Sequence, residues 1–428
     1  MSRHHRPRTF FGTDGVRGVV GETLTVDLVE RLGKAATLWA GGGRVLVGRD
    51  TRGSGPALEE ALARGIGAAG GTAVLAGVLP TPAVALLAED LGVVLSASHN
   101  PPEYNGVKIF GRGGSKLSDA AEEEIEALLD ATGPGGGAVE TMDGAAERYL
   151  DLVRPRFGSD LSGLRIAVDC ANGAFSAIAP ETFERLGATV TVLGASPDGT
   201  NINAGCGATD LSLLQKTVRE GGVDIGLAFD GDGDRLMAVD ERGAVVDGDG
   251  IVAAIALDRG VDRVAVTVMT NLGFHRLMAD SGIAVDVTDV GDRYVLEALR
   301  REGAVLGGEQ SGHVIWLDGH VTGDGLVAGL LLCRALRGRS LSSVTGVMPT
   351  YPQVKENVRI EGRGRVPGAV VREVERLNAE LAGRGRVLVR PSGTEPLVRV
   401  LAEAETREEA TTLCATVAHL VRRELEAL

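Results

Sequence analysis

Two short stretches hold the side chains best suited to chemistry. The first is Leu95-Ser96-Ala97-Ser98-His99-Asn100-Pro101-Pro102, where an apolar run through Leu91, Val93 and Val94 stops in small and polar residues. That pattern reads as the end of a buried strand, and in open α/β sheets ligands gather at the carboxyl ends of strands. A hydroxyl displayed there beside a histidine makes Ser98 a candidate nucleophile, although a polar loop that only closes a strand would look the same. The second is Asp230-Gly231-Asp232-Gly233-Asp234. Its carboxylates alternate with glycines that let the backbone bend sharply, so Asp230, Asp232 and Asp234 can converge on one hard cation. An EF-hand loop is a rival, with Glu241 at its final ligand position. Arg235 stands where that loop needs glycine, however, and the flanks 225–229 and 236–239 read as strands rather than helices. A solvated acidic turn is the plain alternative. With Mg2+ held there, a phosphoryl group is the natural partner.

Two further loops suit anions. Arg390-Pro391-Ser392-Gly393-Thr394-Glu395-Pro396 offers hydroxyls, backbone N–H groups around Gly393 and the fork of Arg390, with Arg399 on the next strand able to add a second fork. A tight turn between strands is the other reading. Phe11-Gly12-Thr13-Asp14-Gly15-Val16-Arg17-Gly18 is Gly-spaced around Arg17, but too spread for a Walker loop and not followed by a helix.

The elements that must position these loops repeat. Strand 44–48, helix 56–70, strand 72–76, helix 81–90 and strand 93–95 lead to Ser98. Strand 165–169, helix 180–186, strand 189–193, helix 211–220 and strand 225–228 lead to Asp230. Strand 263–268, helix 274–280, strand 283–288, helix 293–302 and Val305-Leu306 lead to Gly308-Glu309-Gln310-Ser311-Gly312-His313. Each copy is a βαβαβ unit whose last strand delivers a loop of functional side chains. A Gly/Pro linker is expected at 133–137, a helix at 145–152, and a crossing to the second copy at 155–162. Beyond Met348-Pro349 the pattern becomes extended 356–360, helix 370–381, strands 386–389 and 397–402, and helix 407–425, a smaller α+β domain with an antiparallel sheet. The fold expected is therefore α/β: three repeated mixed-sheet units, 1–153, 154–250 and 251–350, and a C-terminal α+β domain, 351–428.

Composition agrees. Hydrophobic residues make up 44% of the 428 and aromatics 3%, so cores must be built from Val, Leu, Ile and Ala, as in parallel strands covered by helices. A net charge of −14 argues against nonspecific binding to nucleic acid or an anionic membrane, and an anionic substrate then needs a local basic site. Cys170, Cys206, Cys333 and Cys414 are far apart and form no CxxC pair, which suits a reducing cytoplasm. No stretch approaches a membrane span, and the basic start, Met1 to Arg8, lacks the apolar run of a signal peptide.

Taken together, the Phe11 to Gly18, Ser96 to Pro101, Asn105-Gly106-Val107-Lys108, Asp230 to Arg235, Glu309 to His313 and Arg390 to Arg399 stretches resemble, in order and spacing, the α-D-phosphohexomutase superfamily. The resemblance covers essentially the whole chain. It implies four domains around a cleft, Ser98 carried as a phosphoserine, and Mg2+ bound by Asp230, Asp232, Asp234 and a phosphate oxygen on Ser98. It also implies that Arg17, Lys108, Arg235 and His313 line the reacting end and that Glu309 and Ser311 hold sugar hydroxyls. Arg390, Ser392, Gly393, Thr394 and Arg399 would hold the phosphate not being transferred, on a C-terminal domain that acts as a lid. Gln310, Val290-Gly291-Asp292-Arg293-Tyr294 and the Phe11 to Arg17 stretch favour the branch acting on glucosamine phosphate, a step toward UDP-N-acetylglucosamine and cell-wall polymer. Pro102-Glu103-Tyr104-Asn105 is closer to the glucose and mannose branches, and Asp210 stands where the glucosamine branch usually has His. The expected partner is a small phosphosugar, with a homodimer as one expected assembly. A phosphosugar-sensing protein on the same fold and a phosphatase that passes the group to water are the rivals.

Overall fold

The computed structural model describes residues 9–12, 14–360, 366–391 and 397–426. By its contacts the chain divides into two compact units, Met1–Val268 with Ile283–Gly346, and Met269–Gly282 with Val347–Leu428.

The first unit holds three sheets with one shared plan. In each, three parallel strands are followed by an antiparallel return strand beside the third. The first copy runs Thr72–Val78, Arg44–Arg49, Leu91–Leu95, then the return strand Tyr104–Gly111. The second runs Thr189–Leu193, Arg165–Asp169, Ile225–Phe229, then Leu236–Asp240, and the third Ala284–Thr288, Arg263–Thr267, Leu306–Gly308, then Val314–Trp316. The candidate loops therefore join the third parallel strand of each copy to its return strand. Leu91–Leu95 and Ile225–Phe229 are buried at every residue, which matches their continuous apolar runs. Val16–Val19 pairs antiparallel with Tyr104–Gly111, putting Arg17 opposite Gly106 and bringing the N-terminal loop beside the Ser98 loop.

The second unit is an antiparallel sheet, Gln353–Arg359, Leu397–Glu403 and Arg386–Pro391, with helices Gly368–Leu381 and Arg407–Glu426. Its core includes Val358, Val370, Val387, Val398, Val400 and Val417. The helix Leu272–Asp280 lies within the third repeat in chain order but belongs by its contacts to this unit. Asn271 Nδ2 donates to the Tyr351 carbonyl at 2.9 Å, and Tyr351 N donates back to Asn271 Oδ1 at 3.0 Å. Gly273 lies so near the Pro349 carbonyl that a Cβ would come within 1.5 Å of its oxygen.

Two local expectations need correction. The linker at 133–137 is followed by a short strand, Ala138–Thr141, that adds parallel to Thr72–Val78 at the sheet edge. The crossing expected from Pro155 onward begins later, because the helix Ala145–Phe157 runs through the proline. Pro155 is solvent-facing, while Leu150, Val153 and Phe157 recur at helical spacing on the buried face and carry the helix past it. All four cysteines are free and buried, and among the described residues no helix is long and apolar enough to cross a membrane.

Candidate active site

Ser98 follows the buried strand Leu91–Leu95 with its backbone in the left-handed region, φ 53°, a conformation that costs a residue bearing a Cβ. Several buried groups hold it there. Ser98 N donates to Ser96 Oγ at 2.9 Å, and Ser96 Oγ donates to Asp50 Oδ2 at 2.6 Å. Arg52, only 1% exposed, pairs through Nε with Asp50 at 2.9 Å. Its remaining nitrogens donate to the carbonyls of Ser98, Asn100, Pro101 and Tyr104. The Ser98 hydroxyl is thereby aimed at Asp230 Oδ2, 2.5 Å away, with His99 Nδ1 at 3.2 Å.

The acidic loop turns tightly after Ile225–Phe229. Gly233 takes φ 78°, and its N–H and that of Arg235 donate to Asp230 Oδ1 at 3.1 and 3.2 Å. Gly231 has no room for a side chain, since a Cβ would lie 2.6 Å from the Ser98 carbonyl oxygen. The three carboxylates are buried and each offers an oxygen within 4.8 Å of the others. Burial, then Asp234 and Asp232, push the Asp230 carboxyl well above the ordinary range. Asp232 Oδ1 is buried without a hydrogen-bond partner. An all-oxygen, densely anionic donor set of this kind fits a small hard divalent ion.

Cations from other loops surround the trio. Lys108, on the return strand Tyr104–Gly111, places Nζ 2.7 Å from Asp232 Oδ2, 2.8 Å from Asp234 Oδ2 and 2.9 Å from Asp14 Oδ2. Burial works against its charge, but these three carboxylates outweigh it and hold the ammonium well above its usual range. Asp14 also pairs with Arg17 and with Lys116, which reaches Asp292 of the third copy. His313 and Arg235 meet as a backbone bridge. The His313 ring lies 3.2 Å from Asp234 Oδ1 and 3.4 Å from Glu309 Oε2 without the alignment of a hydrogen bond. Burial opposes its protonation, yet Asp234 raises it to about 10. The same environment holds Asp234 well below the carboxylate range: burial would raise it, and Lys108, His313 and Arg235 prevail.

Ser98, the three aspartates, Lys108, Arg17, Arg235, His313 and Glu309 are thus brought together. Glu309 is buried and accepts the Gly291 N–H at 2.9 Å, whereas Ser311 is exposed. In the second unit Arg390 and Arg399 are direct cross-strand partners, so their side chains share one face of the sheet. Ser392, Gly393 and Thr394 lie outside the described residues. Asp210 is half-buried, and its Oδ1 accepts from Ser212 N at 3.1 Å and Ser212 Oγ at 2.5 Å at the start of helix Ser212–Gly221. Asp50, Arg52 and Thr81 were not singled out from sequence. Thr81 Oγ1 donates to Asp232 Oδ2 at 2.6 Å and Thr81 N to the Asp232 carbonyl at 2.9 Å. Asp50-Thr51-Arg52 did carry a signal, two opposite charges directly after a buried strand. A hollow of about 630 Å3 lined by Leu161, Cys333 and Ser340 contains none of these groups.

Four family models match consecutive stretches. They are the phosphoglucomutase/phosphomannomutase alpha/beta/alpha domains I, II and III, at residues 8–134, 147–243 and 247–351, and the C-terminal domain of the same family at 352–420. A phosphoglucosamine mutase from Moorella thermoacetica is 49% identical over 425 residues, 93% of this chain and 96% of the relative. One from Desulforudis audaxviator is 48% identical, covering 96% of this chain and 97% of that protein. Among solved structures, a phosphoglucomutase/phosphomannomutase family protein from Burkholderia thailandensis superposes with a TM-score of 0.81 at 28% identity, covering 97% of this chain and 96% of that one. Aspergillus fumigatus N-acetylphosphoglucosamine mutase, at 18% identity and a TM-score of 0.67 over 98% of this chain and 97% of its own, shares the fold.

Proposed function

This chain belongs to the phosphoglucomutase/phosphomannomutase family, the α-D-phosphohexomutases, and from that premise we propose that it interconverts glucosamine 6-phosphate and glucosamine 1-phosphate. One observation carries the chemistry: the Ser98 hydroxyl lies 2.5 Å from Asp230, one of three buried carboxylates suited to a divalent ion. The amino-sugar assignment is supported by full-length relatives named phosphoglucosamine mutase.

In this reading Ser98 is carried as a phosphoserine and gives its phosphoryl group to the free hydroxyl of the sugar monophosphate. The phosphorus bond to Ser98 Oγ breaks, a bond to the sugar oxygen forms, and the hydroxyl proton is taken up in its place. The sugar 1,6-bisphosphate then turns end for end and returns its other phosphate to Ser98. Asp230, Asp232 and Asp234 with a phosphate oxygen would hold Mg2+, which when bound supplies positive charge to the transferring group. Lys108, fixed between Asp232, Asp234 and Asp14, adds charge from the protein itself, as do Arg17, Arg235 and His313 at the reacting end. Glu309 and Ser311 would take sugar hydroxyls. Arg390 and Arg399 with Ser392, Gly393 and Thr394 would hold the phosphate not being transferred. Residues 1–153, 154–250, 251–350 and 351–428 are the domains in this scheme, and the substrate is a small cytoplasmic phosphosugar.

The test is to incubate the purified protein with glucosamine 6-phosphate and Mg2+ while following both glucosamine 1-phosphate and free phosphate. Isomerisation without phosphate release is expected. Stoichiometric phosphate would make the protein a phosphatase, no turnover would make it a binding protein, and faster turnover of glucose or mannose phosphates would move it to another branch.

A further inference from the structure

We infer that Asn203 is a positioning residue for Ser98, closing with Arg52 on the backbone of the serine loop. The inference rests on Ser98 being the phosphoryl carrier. Asn203 Nδ2 donates to the Ser98 carbonyl at 2.9 Å and to the Asn100 carbonyl at 3.2 Å. Arg52 donates through one nitrogen to the same two carbonyls, at 3.0 and 2.8 Å. Two side chains therefore grip one pair of acceptors, and they come from different copies of the repeat. Arg52 follows the first strand of the copy that bears Ser98. Asn203 lies between Thr189–Leu193 and Ser212–Gly221, in the copy that bears the carboxylates.

Asn203 is itself held at φ 59°, with its N–H donating to the Ala171 carbonyl at 2.8 Å. Ala171 and Asn172 are left-handed as well, at φ 55° and 48°. The Asn172 carbonyl accepts from Thr51 Oγ1 at 2.5 Å, so the loop that seats Asn203 is also tied to the segment that carries Arg52. Left-handed backbone at these three residues persists only where surrounding contacts over-determine it. They deliver an amide to a carbonyl that the acidic loop also touches: a Cβ on Gly231 would lie 2.6 Å from the Ser98 oxygen and 3.0 Å from Asn203 Nδ2.

The grip has a property that suits a phosphoryl carrier. It takes hold only of backbone carbonyls, leaving Ser98 Oγ unengaged by either residue. Its contacts therefore stay the same whether the serine is bare or carries the roughly two negative charges of a phosphate. Because Asn203 belongs to the carboxylate-bearing copy, the distance from Ser98 to Asp230 is fixed by a direct bond between the two copies. A misplacement of the reacting atom of about 1 Å can cost a hundredfold in rate, so loss of this bond should appear in the chemical step.

Asn203→Gly adopts a positive φ freely and deletes both donors. Asn203→Asp keeps the shape but turns an acceptor toward two carbonyls. Each is to be measured for phosphorylation of dephosphorylated Ser98 by glucosamine 1,6-bisphosphate in a single turnover, for kcat per Ser98 able to accept phosphate, for KM, and for thermal unfolding. Asn203→Gly should slow the single turnover about ten- to a hundredfold, with KM for glucosamine 6-phosphate within about twofold. Asn203→Asp should be slower still. Arg52→Lys combined with Asn203→Gly should lose less than the product of the single effects, since both act on the same carbonyls. An unchanged single-turnover rate in Asn203→Gly, or a fall that only tracks the unfolded fraction, overturns the inference while leaving the mutase reading in place. A wild-type Ser98 that accepts no phosphate overturns both.

Discussion

Ser98 and Gly233 occupy matching loops of the first and second copies, each between the last parallel strand and its return strand, and both have left-handed backbone, at φ 53° and 78°. The two loops meet the same steric demand by opposite means. In the acidic loop the functional side chains fall on alternate residues, so glycine can take the forbidden conformation and the carboxylates are spared it. In the serine loop the proposed phosphoryl carrier, Ser98, itself sits at the strained position. The remedy is a scaffold of buried Ser96, Asp50 and Arg52 with half-buried Asn203, whose hydrogen bonds keep one hydroxyl aimed. Strain is removed by composition in one loop and contained by neighbours in the other.

The largest effect should come from the charge that joins the loops. Asp232→Asn removes an anionic oxygen that accepts from both Lys108 and Thr81, and it should cut kcat by about a hundredfold or more and raise the Mg2+ concentration for half-activation. A variant equally active in EDTA and in excess Mg2+ would make the acidic loop structural. Next comes the glycine. A Cβ on Gly233 would enter the left-handed region and come within 2.3 Å of the Phe175 ring, so Gly233→Ala should destabilise the protein by about 2–3 kcal/mol in chemical denaturation. The mirror change on the other loop should be small and of the opposite tendency. Ser98→Gly relieves the strain at the cost of chain entropy, and stability should stay within about 1 kcal/mol of wild type while turnover disappears. If Ser98→Gly destabilised the protein as much as Gly233→Ala, the contrast between the loops would collapse.

What the sequence made legible follows from this contrast. The parallel strands were readable because buried strands are continuous apolar runs, as at Leu91–Leu95 and Ile225–Phe229. Ser98 and the aspartates were readable because their residue types are chemically specific and their glycines are in sequence with them. The scaffold was not. Arg52, Thr81 and Asn203 act on residues 46, 151 and 105 positions away, and nothing local in a threonine or an asparagine announces a distant carbonyl or carboxylate. The Leu272–Asp280 helix falls within the third repeat by chain order, while the approach of Asn271 and Gly273 to Tyr351 and Pro349 depends on a glycine with no side chain in the way. Pro155 reads as a breaker, but the buried spacing of Leu150, Val153 and Phe157 outweighs it.

The most direct test of the account is the residue that carries the phosphate during turnover. Dephosphorylated wild-type protein is mixed with glucosamine 1,6-bisphosphate labelled in its phosphates, quenched, and mapped by peptide mass spectrometry, then chased with unlabelled glucosamine 6-phosphate. The account predicts about one label per chain, on Ser98, lost to the sugar on the chase at a rate no slower than kcat. Label on any other residue, or label on Ser98 that the sugar fails to remove while isomerisation proceeds, would contradict it.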